Sequence, residues 1–302
     1  MGYVAPTWQN GGPPALNAKN MQDISDNLAY VSNNMVNPNL LDNWYFGNPV
    51  NQRGQTSYTG TDTYTIDRWM TDNTVTVVDG GITVKRTVHD ALFYQYLEDS
   101  LVNAIAGKVV TYSALTTDGL MTVTTKLPPS KSSDWDTDNA VQGDLMLDTV
   151  KSSAGKIYIR FYSTVDGTEA TILAVKLELG SKQTLAHQEN GVWVLNEIPD
   201  YGEQLRRCQR YYFKTGSAQY SAYMMRKNTD DYLMDSCIFP VTMRTTPSVQ
   251  LVSYRNPSTG AVITAEGNAS QTTPDGFCVV NDAGKFASSS IFQVAFSATA
   301  DL

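Results

Sequence analysis

The side chains in this sequence best suited to chemistry are aromatics and carboxylates set close together in polar stretches. From Ser132 to Asn139 the chain reads Ser-Ser-Asp-Trp-Asp-Thr-Asp-Asn. Such a loop offers Trp135 no apolar neighbours. Its indole is therefore expected to face solvent and stack on a sugar ring, with Asp134 and Asp136 accepting hydrogen bonds from the hydroxyls. Aspartates at 134, 136 and 138 alternate as at the start of a calcium loop. Asn139 replaces the glycine that such a loop needs, and no closing Glu follows, so a solvated acidic loop is expected and no metal. A second set, Tyr220, Tyr223, Tyr232, Tyr254 and Arg255, is expected in or beside loops of the C-terminal part. Tyr and Arg give wide contact area at low entropic cost, which suits a binding surface. Trp44 and Trp69 are further stacking candidates but read rather as core residues; Asp67 and Arg68 beside Trp69, and Asn139 near Trp135, are the hydroxyl partners nearby in sequence.

Catalytic patterns are sparse. His89 and His187 are the two histidines, and neither stands in a catalytic context. No G-x-S-x-G elbow, H-E-x-x-H helix or phosphate-binding glycine loop occurs. Glycosidase chemistry needs two facing carboxylates, and the 30 acidic residues supply many pairs without singling one out. Cys208, Cys237 and Cys278 lack metal-ligand spacing and read as buried free thiols. Arg206, Arg207 and Arg210 share one helical turn and read as a structural or interface cluster. A net charge of −8 argues against nucleic acid and anionic membrane as partners, since both demand clustered cations. No signal-peptide pattern is present, no run approaches the roughly 20 apolar residues of a membrane span, and no cofactor is expected.

The elements that must position these residues are mostly strands. Of the 302 residues only 17% are charged, while Thr, Ser, Asn, Gly and Tyr abound, a mixture suited to antiparallel sheets. Residues 1–38 are expected to form an arm and an oligomerisation helix. In the arm, Tyr3, Val4 and Trp8 sit among Gly and Pro, poised either to dock on another surface or to fold back on the chain. Met21, Ile24, Leu28, Val31 and Met35 then follow an a/d spacing over two heptads, read as a short coiled coil or as an amphipathic helix on its own domain. Residues 39–181 read as one β-sandwich, residues 182–203 as a polar linker, and residues 204–302 as a distal antiparallel β-sandwich. Strands are predicted over 74–78, 82–86, 93–97, 108–114, 120–125, 157–162 and 172–179 in the first domain. In the second they are predicted over 210–214, 220–225, 237–243, 248–254, 261–264, 276–281 and 291–298. Asp79-Gly80-Gly81 is a hairpin turn, and 202–212 reads as helical with Leu205, Cys208 and Tyr212 on one face.

At the joint, Lys176-Leu177-Glu178-Leu179-Gly180 is followed by Tyr201-Gly202-Glu203-x-Leu205-x-x-Cys208-Gln209-Arg210-Tyr211-Tyr212. This closely resembles a recurrent junction in tail-fibre and minor structural proteins of tailed bacteriophages. Residues 39–44 with 48–54, 64–69, 239–247 and 298–302 fit the same pattern, so the resemblance covers most of the chain from Asn39. The order of features in 39–181 also resembles jelly-roll carbohydrate-binding modules. The resemblance implies a mainly β, non-enzymatic virion fibre, trimeric as phage fibres typically are, made in the bacterial cytoplasm. Its N-terminus would attach to another virion structural protein and its β domains would bind host-surface polysaccharide, with weak sites multiplied by copy number. An architectural virion protein (head fibre, collar or decoration protein) is the alternative. A polysaccharide-degrading tail enzyme is a third reading, against which no long β-helix period appears.

Overall fold

The computed structural model describes residues 18–34, 36–216, 223–226, 232–264, 267–281 and 291–302. The fold is mainly β, with three helices among the described residues. Helix α1 (Ala18–Asn34) comes first. Twelve strands follow: β1 (Ser57–Thr59), β2 (Thr63–Tyr64), β3 (Met70–Thr71), β4 (Thr74–Val78), β5 (Gly81–Lys85), β6 (Ala91–Tyr96), β7 (Val109–Thr116), β8 (Gly119–Lys126), β9 (Ala140–Gln142), β10 (Leu145–Lys151), β11 (Ile157–Tyr162) and β12 (Glu169–Leu179). A short helix, α2 (Asp99–Ile105), joins β6 to β7 and buries Val102 and Ile105.

These strands form two six-stranded sheets, ordered β1-β4-β5-β12-β7-β8 and β2-β3-β6-β11-β10-β9. Alternation along each strand sends one set of side chains inward. One buried cluster draws on both sheets: Val75, Ile82, Tyr112 and Leu177 from the first, and Phe93, Leu147, Ile159 and Phe161 from the second. Trp69 lies in this cluster as expected, stacked on Phe93 at 4.6 Å and donating its indole N–H to the Asn43 carbonyl at 2.9 Å. Gly80 takes the positive φ of 78° that the β4–β5 turn requires. Gly81 has a different reason: a Cβ there would lie 2.8 Å from the Ile172 carbonyl of β12.

The segment before β1 completes the first sheet. Beyond the end of β5, β12 carries a bulge between Ile172 and Ala174. Its second edge is then taken by residues 39–46, with Leu40 N–H donating to Leu177 O and Phe46 N–H to Leu173 O. Backbone groups that would otherwise be orphaned are thereby paired.

Where a polar linker was expected over 182–203, the chain folds onto the first sheet. Strands β13 (Ala186–Glu189) and β14 (Val192–Leu195) form a hairpin, and Leu185 and Ala186 belong to the buried cluster. Two charges of β12 hold the segment down. The fully buried Lys176 ammonium meets Glu197 at 2.8 Å, and Glu178 accepts from the Thr184 N–H and hydroxyl. Alternation points these charges away from the cluster, so something polar must cover them.

Helix α3 (Tyr201–Gln209) is capped by Asp200, which accepts from Glu203 N–H at 2.8 Å. Its buried positions are Gln204 and Cys208; Leu205, the residue that apolar spacing selects, is only half-buried. Gln204 is buried because its amide oxygen accepts from Asn43 N–H at 2.8 Å. After α3 come β15 (Tyr212–Lys214), β16 (Met224–Arg226), β17 (Tyr232–Ile238), β18 (Ser248–Arg255), β19 (Val262–Thr264), β20 (Gly267–Thr273), β21 (Gly276–Asn281) and β22 (Ile291–Thr299). One sheet is ordered β15-β22-β18-β19, with β16 also on β22, and the other is β17-β21-β20. Phe213, Phe239, Phe277, Phe292 and Phe296 form their shared core.

Candidate functional site

The structure separates the side chains that the sequence singled out. Trp135 is fully buried in the first cluster and donates its indole N–H to Ser130 O at 2.9 Å. This corrects the expectation of a solvent-facing indole. The loop is polar along its length, but it folds over the core and uses its own carbonyl to satisfy the buried N–H. Asp134 and Asp136 remain exposed, and the Asp136 N–H donates to the Asp134 carboxylate at 3.2 Å.

In the distal sheets Tyr254, next to the end of β18, is also buried, 1% exposed, as a member of the core cluster. The bulge in β18 between Leu251 and Ser253 shifts the alternation and brings Tyr254 onto the buried face, which corrects its reading as a surface contact. Tyr223 is half-buried with its ring edge-on to Phe213 and Phe296. Arg255 is half-buried and donates to the Gln293 amide oxygen at 2.8 Å. Tyr232 opens β17. Tyr220, Tyr3, Val4, Trp8 and Met35 lie outside the described residues. On α1, Met21, Ile24 and Leu28 are exposed, and Val31 belongs to the same helix.

A cavity of about 240 Å³ lies at the joint, lined by Asp42, Arg68, Glu98, Arg207, Arg210 and Tyr211 among others. Its charges are matched internally. Arg68 pairs with Asp42 at 3.0 Å, Arg207 with Asp42 at 2.7 Å, and Arg210 approaches Glu98 at 3.6 Å. The Arg68 guanidinium also lies 3.6 Å from the centre of the Tyr211 ring, whose hydroxyl donates to Glu98. This constellation ties α3 to the first sheets and leaves little unmatched chemistry for a ligand. Asp67 and Arg68, placed by sequence near a sugar site, belong to this joint and are buried.

A different surface collects chemistry that the sequence reading did not assemble. On β11 the side chains of Ile157, Ile159 and Phe161 enter the core, so Tyr158, Arg160 and Tyr162 must turn outward. On β6, Phe93 enters the core and Tyr94 and Tyr96 turn outward. Register then places Tyr158 opposite Tyr96, and Arg160 opposite Tyr94. The three rings of Tyr94, Tyr96 and Tyr158 contact one another at centroid distances of 5.4–5.7 Å. Tyr94 is the buried floor, its hydroxyl donating to Asp62 and Asp72 at 3.1 Å. Tyr96, Tyr158 and Tyr162 are each half-exposed.

Polar groups frame this face. Arg160 is held by the buried Asp148 at 2.9 Å and lies 4.3 Å from the Tyr162 ring centre. The exposed Asn139 donates its amide to the Tyr162 hydroxyl at 3.1 Å. Burial pushes the phenols of Tyr96 and Tyr158 up from their ordinary value, and Tyr94 further still through Asp72 and Asp62. The rings therefore stay neutral across the physiological range. A sheet face of neutral tyrosine rings edged by a fixed guanidinium and an amide can stack sugar rings and bond their hydroxyls. The legible signal was the pair of segments Tyr94-Gln95-Tyr96 and Tyr158-Ile159-Arg160-Phe161-Tyr162, each placing tyrosines two or four positions apart.

Beside Tyr96 the face opens into a cleft of about 520 Å³ whose far wall is formed by Arg244, Asp301 and Leu302. That size falls within the roughly 300–1,000 Å³ usual for small-ligand sites. Among the described residues no helix is long and apolar enough to cross a membrane. No family model matches the chain, and no curated protein or solved structure shows significant similarity to it.

Proposed function

We propose that this chain is a non-enzymatic bacteriophage virion fibre that binds host-surface glycan on the outer face of its second sheet. The observation that carries this reading is the row of half-exposed tyrosines, Tyr96, Tyr158 and Tyr162, with Arg160 fixed among them. The nested pairing of β5 with β12 and β6 with β11 on opposite sheets supports a jelly-roll-like sandwich, an architecture that presents such a face. The distal body is read as a second sandwich. Its burial of Tyr254 favours an architectural role for that body over receptor contact.

The N-terminal region serves attachment and assembly on this reading. Met21, Ile24 and Leu28 are 55%, 51% and 66% exposed, and their three- and four-residue spacing places them on one stripe of α1. An isolated helix of this length is marginal in water, so joining the helices of three copies is the natural use of the stripe. The arm before it would dock on another virion protein. Light scattering should return three times the chain mass for the native protein, and a smaller species for Leu28→Asp. A native monomer would remove the bundle.

Glycan-array and whole-cell binding test the site itself. Replacing Tyr96 and Tyr158 by alanine should weaken binding by about 10- to 100-fold, equivalent to roughly 1.4–2.8 kcal/mol, with unchanged oligomeric mass. A native trimer that binds neither sugars nor cells would turn the assignment to an architectural virion protein.

A further inference from the structure

We propose that the joint between the first sheets and the distal body is a proton-operated latch. Asp67 and Asp301 share a proton while the joint is closed, and its loss loosens the joint without unfolding either body. The geometry supplies a single guanidinium to two buried carboxylates. Arg53 donates to Asp67 Oδ1 at 3.1 Å and to Asp301 Oδ2 at 2.6 Å, and the two carboxylate side chains are 1% and 4% exposed. Asp67 lies between β2 and β3 and Asp301 beyond β22, so the pair spans the joint. Asp67 Oδ2 accepts from the Gln52 amide at 2.7 Å, whereas Asp301 Oδ1 has no hydrogen-bond partner among the described residues. Two carboxylates closing on one cation leave negative charge in excess, and burial makes that costly unless one of them holds a proton.

The groups packed around the pair do not supply the missing positive charge. Tyr58, Tyr201, Cys208 and Tyr212 face Asp67, and Tyr64 and Tyr212 face Asp301. Burial raises every one of these hydroxyls and the thiol, so all stay neutral. Arg68 and Arg244 also attract Asp301. Their hydrogen bonds, however, go to Asp42 and the Tyr96 carbonyl, and to the carbonyls of Ala300 and Asp301. Lys214 is exposed and donates to the Arg53 carbonyl. The same loop also holds the distal body: the Arg53 guanidinium lies 4.0 Å from the Tyr212 ring centre, and the Gln52 amide donates to Tyr212 O at 2.7 Å. A change of charge on the pair therefore acts directly on the contact. Burial pushes the Asp67 carboxyl up to about 7 in the closed joint. Opening admits water and returns it toward its ordinary value of about 3.9. A proton held more tightly closed than open favours closure in acid. Opening thus becomes easier from about pH 4 to about pH 7 and levels off above that.

Cysteine alkylation of the full chain tests the latch without any partner. Cys208 is fully buried on α3, where the charges of Asp67 and Asp42 reach it, so it reports opening of the joint. Cys237 belongs to the distal core and reports unfolding of that body. Iodoacetamide is applied between pH 5 and pH 8, and each rate is divided by that of the urea-unfolded chain at the same pH. Cys208 is expected to react ahead of Cys237 throughout, with its corrected rate rising about 100-fold across the range. Asp67→Asn leaves one carboxylate for the guanidinium and should cut that rise to about 10-fold or less; Asp301→Asn serves the same purpose should the first variant not fold. Equal corrected rates for the two thiols would overturn the latch, since only global unfolding would then expose Cys208. A rate for Cys208 that is flat from pH 5 to pH 8, or a rise that persists undiminished in both variants, would overturn it as well.

Discussion

Arg53→Ala is expected to destabilise the protein by about 3–5 kcal/mol, because it strands two buried carboxylates at once. The guanidinium reaches Asp67 at 3.1 Å and Asp301 at 2.6 Å, and the two carboxylate side chains are 1% and 4% exposed. It also lies 4.0 Å from the Tyr212 ring centre. One side chain thereby joins the loop before β1, the start of the distal sheet and the chain's last residues. The loss should depend on pH. Burial pushes the Asp67 carboxyl up to about 7, against the attraction of Arg53, and burial raises Asp301 as well. A carboxyl whose folded pKa lies above its unfolded value binds more protons folded than unfolded. Its contribution is therefore full below about pH 4 and fades as pH rises through about 7. At pH 5 Asp67 is mostly neutral with or without Arg53, and the variant's deficit is smaller. By pH 8 the native carboxylate is ionised and paired, while the variant must bury it alone or keep its proton. Urea unfolding at both pH values checks this, and a deficit that is equal at the two, or larger at pH 5, would contradict the assignment.

Trp135→Ala should cost about 3–5 kcal/mol through the cavity left in the first cluster and the unpaired Ser130 carbonyl. Glycan binding by the molecules that remain folded should change little, because the indole does not reach the tyrosine face. Trp135→Phe keeps most of the volume and loses the N–H, so it should recover more than half of the stability. These expectations invert those of an exposed stacking residue, whose loss would abolish binding and leave unfolding untouched. Denaturant curves and calorimetry on the same preparations distinguish the two directly.

Much of the strand content is legible from alternation and turn chemistry. The predicted 74–78, 157–162 and 276–281 coincide with β4, β11 and β21, and Asp79-Gly80-Gly81 marks the hairpin. Other elements escape because their signal is not local. Strand β10 carries Asp148, a poor strand residue by propensity, which tolerates its place because Arg160 stands opposite on β11. Strand β20, GNASQTT, has no β-branched or aromatic run before its final threonines and forms by pairing with β21. The strand predicted over 237–243 lies earlier, at Tyr232–Ile238, since β17 ends ahead of Pro240, where a proline cannot extend the ladder.

The candidate site divides along the same line. Sequence alone determines that Tyr158, Arg160 and Tyr162 share one face of a strand, as do Tyr94 and Tyr96, because successive side chains on a strand alternate whatever surrounds them. It equally determines the apolar stripe of α1. Which strands become neighbours is decided only by tertiary structure, because pairing across long loops reflects the packing of the whole cluster. That pairing brings Tyr96 to Tyr158, closes the cleft with Asp301 and Arg244 from the far end of the chain, and draws Trp135 inward. Burial is a property of what lies beneath a residue, and the neighbours that bury Trp135 and Asp67 are remote in sequence.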